Sequence, residues 1–210
     1  MNFISPFILG FLAATIGSVL PGLLNMTAAK ISMNDGKKRA FWFVLGAAFV
    51  LFFQALLAVF FARFIDRRTD ISDGLQEIGF ILFALITIYF FWLAKKTNKV
   101  KPEKPINLRS KKSGFFLGVL LSTLNVFPIP YYVFLSISLA SYGYFTFETQ
   151  FIYLFAFGAS VAAFLVFWGY VLFFKNRNPE DSFISRNINQ IIGSITGIIA
   201  IITLIKILNR

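Results

Sequence analysis

The sequence predicts an all-α membrane protein, six transmembrane helices arranged as two inverted three-helix repeats. Three observations predict it. The 210-residue chain is 58% hydrophobic and only 14% charged, with a mean hydropathy of +0.76, whereas a soluble domain carries about 25% charged residues. Six apolar runs are each long enough to cross a hydrocarbon core of roughly 30 Å as a helix. The basic residues collect in alternate connections between those runs, as membrane topology requires.

The apolar excess needs lipid, because no chain of this size has interior enough to hide it. Phe alone supplies 29 residues. The runs cover residues 3–26, 40–64, 75–94, 114–140, 149–174 and 188–208. They are too long, and too free of polar alternation, for the strands of a barrel. No basic stretch precedes the first run, so it is expected to persist as a helix rather than leave as a signal peptide.

Charge orients the spans. Fifteen basic residues lie in the connections after runs one, three and five, among them Lys30, Lys37, Lys38, Arg39, Lys111 and Lys112. Only five lie on the other side: Arg63, Arg67, Arg68, Lys206 and Arg210. The basic side is expected to be cytoplasmic and both termini extracytoplasmic, in a bacterial inner membrane. The net charge of +11 is thereby a matter of topology, and no nucleic-acid partner is expected. Residues 97–113 form a basic connector with Pro102 and Pro105. It separates a first three-helix repeat, 1–96, from a second, 114–210.

The halves match in order. Gly46-Ala47 in run two answers Gly158-Ala159 in run five. Gln76 and Gly79 at the head of run three answer Gln190 and Gly193 in run six, and Pro21-Gly22 answers Pro128 and Pro130. Three spans per half is an odd number, so the second half enters the membrane inverted. That architecture recurs in secondary transporters.

The same comparison points to a site. Interrupted helices at matching places in two halves mark the substrate path of such carriers. In run one, Pro21-Gly22 is followed by Asn25. In run four, Ser122, Thr123 and Asn125 precede Pro128 and Pro130. Proline removes an N–H and displaces a carbonyl one turn back. Backbone groups freed in this way must face protein or a wet cavity. The prolines and Gly22 are expected to shape the breaks, and the Asn25 and Asn125 amides to bind polar parts of a solute. A half-helix N-terminus facing inward would favour a carboxylate. Gln54, deep in run two, either bonds across helices or lines the path. Lys30 is expected to snorkel to the cytoplasmic interface.

The chain has no Cys and no His, which leaves thiol chemistry, imidazole catalysis and zinc without ligands. All nine Asp and Glu residues, Glu77 included, fall at or between span ends, so no carboxylate is placed at depth to carry a proton. Asp35-Gly36 near Arg39 matches part of a phosphotransferase motif, but the next helix lacks the aspartates that would hold its metal. No enzyme activity, cofactor or metal is expected.

Pro21-Gly22-Leu23-Leu24-Asn25, the basic Lys37-Lys38-Arg39 and Gly46-Ala47 together resemble the opening of the lysine exporter (LysE/RhtB-type) family. The stretch 114–135, with Gly118, Asn125 and Pro128, resembles that family's second block. The likeness runs along nearly the whole chain on short motifs. It departs at Leu23 and Val126, where members usually carry Pro, and at Val50 and Leu51, where an Asp is usual. The resemblance implies export of amino acids or related small metabolites. The partners expected are therefore a small solute and the lipid bilayer, and self-association is compatible with such a bundle. Export of a different solute, or a structural or assembly role in the membrane, is the alternative. The assembly role would have no need of paired helix breaks.

Overall fold

The computed structural model describes residues 2–66, 81, 84, 85, 87–93, 111–174 and 187–208. Among them all regular structure is helical, with seven α-helices and one π-helical turn. The basic connector up to Ser110 and most of run three, with Gln76, Glu77 and Gly79, lie outside the described residues. The chain forms two compact units, one of residues 1–63 and 103–179, the other of 64–102 and 180–210. The division runs across the halves of the sequence: spans one, two, four and five fall in the first unit, three and six in the second.

In the first unit, run one is two helices, α1 (Ile4–Ser18) and α2 (Leu23–Asp35), bent by 74°. Run four is likewise two, α4 (Lys111–Leu124) and α5 (Pro128–Ser141), bent by 62°. Runs two and five are continuous: α3 (Lys37–Asp66) and α6 (Thr149–Phe173). By length and composition α3 and α6 can each cross a membrane, and each bent pair can serve as one further span, giving up to four among the described residues. At 1.5 Å per residue α1 alone reaches only about 22 Å, so a crossing needs its partner helix.

The first break sits in the middle of the bent pair, not near its end as residues 3–26 suggested. Hydropathy falls after Met26 because Thr27, Lys30, Ser32 and Asn34 are polar. Thr27 and Ser32 are nevertheless buried, since α2 packs on α6. Lys30, expected at the span's end, lies half-buried within α2. Gly36 turns the chain from α2 into α3 at φ +87°, and Arg39 pairs with Asp35 across that turn at 3.1 Å.

The inward faces are rich in small residues and the outward ones in large apolar residues, although Phe43, Leu51 and Phe155 are buried as well. On α3, Ala47, Ala48, Ala55, Ala58 and Ala62 are buried, while Phe49, Phe53, Leu57, Phe61 and Phe64 form an exposed stripe. This distribution suits lipid, where association comes from close packing and not from expelling apolar groups from water.

A four-residue pattern recurs at the closest approaches: Phe7 to Gly10, Phe43 to Gly46, Phe115 to Gly118 and Phe155 to Gly158. The four work as two reciprocal pairs. A β-carbon on Gly10 would strike the Phe155 carbonyl, and one on Gly158 the Phe7 carbonyl, so α1 and α6 meet backbone to backbone. Gly46 meets the Phe115 carbonyl and Gly118 the Phe43 carbonyl in the same way between α3 and α4. Gly10→Ala and Gly118→Ala are each expected to cost about 1–3 kcal/mol by overpacking, read as a lower thermal midpoint in detergent. Gly169→Ala is the control, because nothing lies within 4 Å of a β-carbon there.

In the second unit, α7 (Ile188–Leu208) packs against the π-helical turn Tyr89–Leu93. Gly193 and Gly197 form a small-xxx-small pair on α7. Gly193 lies under the Phe91 ring, and a β-carbon on Gly197 would sit 3.3 Å from Thr87.

Candidate functional site

Each break frees backbone carbonyls, and side chains take them up. At the first break Asn25 is 3% exposed. Its Nδ2 donates to the carbonyls of Ser18 at 2.8 Å and Leu20 at 2.7 Å. Its Oδ1 accepts from the Gly22 N–H at 2.8 Å. The carbonyl between them, on Val19, accepts from the Tyr170 hydroxyl of α6 at 2.8 Å. Three successive carbonyls thus each receive a side-chain donor, as the absence of water in a bilayer demands.

The second break is held from another helix. Gln54 of α3 donates through Nε2 to the carbonyls of Ser122 at 3.0 Å and Asn125 at 2.9 Å. Of the two readings open for Gln54, the structure has it bonding across helices. Its Oε1 is buried without a hydrogen-bond partner among the described residues. The Ser122 hydroxyl donates to the Ala47 carbonyl at 3.2 Å, again joining α4 to α3. Tyr131, on the first turn of α5, donates to the Ala13 carbonyl of α1 at 2.8 Å. The Tyr131 ring lies against Gly17, 3.1 Å from where a β-carbon would stand.

Between the breaks is a cavity of about 100 Å³. The first break contributes Gly17, Ser18, Leu20 and Gly22, followed by Leu23, Leu24 and Asn25 from the start of α2. The second contributes Asn125, Phe127, Pro128, Tyr131 and Tyr132. Leu51 of α3 and Phe167 of α6 complete the described wall. Of the residues expected from sequence, Gly22, Asn25, Asn125 and Pro128 line this space. Pro21, Gln54, Ser122, Thr123 and Pro130 do not line it, and Thr123 and Pro130 are exposed.

The polar groups divide by availability. The Asn25 amide is consumed by its own break. The Asn125 side-chain amide makes no hydrogen bond to another described residue. The first N–H groups of a helix have no partner within it, and Leu23 and Leu24 at the head of α2 both line the cavity. At α5 the matching positions are poorer in donors, because Pro128 and Pro130 carry no N–H. Sequence reasoning placed neither Leu51 nor Phe167 in a site: Leu51 stood out only as a departure from the family's usual Asp, and Phe167 is one more apolar residue in an apolar span. Tyr131 and Tyr132 follow the second break directly in sequence, their one local sign of a place in the site.

A family model described as "LysE type translocator" matches residues 15–207, a stretch that includes both breaks and every cavity residue. Comparison with curated proteins and with solved structures finds no match to either. With two breaks facing one cavity in an all-helical, lipid-suited bundle, the chain belongs to the LysE type translocator family and is a membrane transporter of a small solute.

Proposed function

We propose that this protein exports amino acids or closely related small metabolites by alternating access from the cavity between the two breaks. The observation that carries the proposal is the convergence of both interrupted helices on one space. Interrupted helices in corresponding halves are where carriers of inverted-repeat architecture hold their cargo. In this reading α2 presents free N–H groups and the positive end of its dipole to a solute carboxylate, and the Asn125 amide meets the other polar group. Pro21, Gly22, Pro128 and Pro130 keep the breaks open. Asn25, Gln54 and Ser122 act through the backbone they hold, and Thr123 flanks the path.

The same proposal includes six spans in two inverted repeats, 1–96 and 114–210, joined by a cytoplasmic basic connector, with both termini outside. The reciprocal pairs support it. Gly10 and Gly118 occupy corresponding places in the two halves, as do Gly46 and Gly158, and a two-fold exchange of the halves carries one pair onto the other. The 15-to-5 division of basic residues supports the orientation.

The test is efflux. Bacteria expressing the protein are loaded with amino acids by feeding dipeptides, and internal and external pools are followed against an empty-vector control. Saturable export of one class of amino acid is the expected result. Unchanged pools for every amino acid, with the protein confirmed in the membrane, would remove amino-acid export and leave another solute as cargo.

A further inference from the structure

We infer that the cavity selects a solute whose side group is uncharged, and that Leu51 is the residue that sets this choice. The inference rests on the transport reading above. The cavity has two kinds of wall. Its available polar groups are the N–H groups at the head of α2, the Asn125 amide and the hydroxyls of Ser18 and Tyr132, all neutral and enough to meet the ends of a zwitterion. The rest of the described wall is largely apolar, with Leu51, Phe127 and Phe167 from three different parts of the fold. Leu51 is 3% exposed and stands on α3 one turn before Gln54, the residue that holds the second break. Among the described residues that line the cavity none is charged.

The neutral polar groups meet the two ends of a zwitterion. A further ammonium or carboxylate on the side group would face the apolar wall, lose its water and find no counter-charge among the described lining residues, so it enters neutralised or not at all. A lysine-like or glutamate-like side group is therefore excluded by desolvation, not by size alone. The cavity is also small, about 100 Å³.

The experiment is counterflow in liposomes holding the purified protein, with radiolabelled valine, threonine, lysine and glutamate. Wild type is expected to exchange valine and threonine at least ~10²-fold faster than lysine or glutamate, the scale of an unpaired buried charge. Leu51→Asp supplies a carboxylate to the wall and is expected to raise lysine exchange about tenfold or more. Leu51→Asn, of similar size and uncharged, is expected to gain none. Lysine exchange by wild type at the rate of valine would overturn the inference while leaving transport in place. An equal gain of lysine exchange in Leu51→Asn would overturn the role of charge at this position. Exchange of none of the four by wild type would overturn this inference, and the efflux assay on every amino acid then decides separately whether amino-acid transport stands. The wild-type comparison decides the selectivity even if Leu51→Asp is not recovered from the membrane.

Discussion

Asn25→Asp is expected to abolish transport, and more completely than Asn25→Ala. Asn25 makes three hydrogen bonds at 2.7–2.8 Å, two of them as a donor to carbonyl oxygens. Alanine leaves those carbonyls and the Gly22 N–H without partners. Each buried group left unmade costs about 1–3 kcal/mol. Pair energies measured within membranes are smaller, near 0.6 kcal/mol, so a total of about 3 kcal/mol is a fair expectation. Aspartate is worse, because it keeps the acceptor but points an oxygen at two carbonyl oxygens with no N–H between them. The checks are the thermal midpoint in detergent and efflux normalised to inserted protein. Asn25→Ala should lower both, and Asn25→Asp should leave no measurable efflux. Normal efflux in Asn25→Ala would show that the first break does not need its brace.

Gln54→Leu is expected to separate function from stability. Leucine is close to glutamine in volume and removes both donations to the Ser122 and Asn125 carbonyls. It also removes the buried Oε1 that has no partner among the described residues. The loss and the relief oppose each other, so the thermal midpoint should move by only a few degrees, within about 1 kcal/mol. The Asn125 carbonyl is then no longer fixed, and the amide on the same residue loses its place in the cavity. A misplacement of about 1 Å at a working group can cost on the order of 10²-fold, so efflux should fall at least tenfold. A large stability loss with unchanged efflux per inserted molecule would contradict this account.

The sequence made the breaks legible because Pro and Gly punctuate an apolar helix against a uniform background. Asn25 was legible as a polar residue beside a break, yet its partners were not. Its amide is spent on Ser18, Leu20 and Gly22, and only geometry distinguishes that from an amide such as that of Asn125, which bonds no other described residue. Gln54 stood out as a deep polar residue, but its acceptors lie 68 and 71 positions away. Leu51 was visible only as a departure from the family's usual Asp, and Phe167 has no local signal at all. The four Phe-x-x-Gly segments were present to be read. The comparison of halves found Gly46 and Gly158 by their shared Gly-Ala, but passed over Gly10 and Gly118, although both sit in a Phe-x-Leu-Gly-x-Leu segment.

The two braces differ in where they come from, and this bears on how the chain is made. The first break is closed by Asn25 from within seven residues of its acceptors. Its hydrogen bonds can form as soon as that segment leaves the ribosome. The second is closed by Gln54, which lies N-terminal to α4 and is already inserted when α4 emerges. Neither of these two side chains waits for sequence still to be synthesised, whereas the Val19 carbonyl of the first break waits for Tyr170 of α6. The α1–α6 seam is different, because Gly10 must be held open until Gly158 arrives some 148 residues later. A ribosome stalled just after α5 would therefore display the second break braced, the first held by Asn25 but still without its Tyr170 bond, and one glycine-lined face of α1 still lacking its partner. That face is where a membrane chaperone would have work to do during biogenesis.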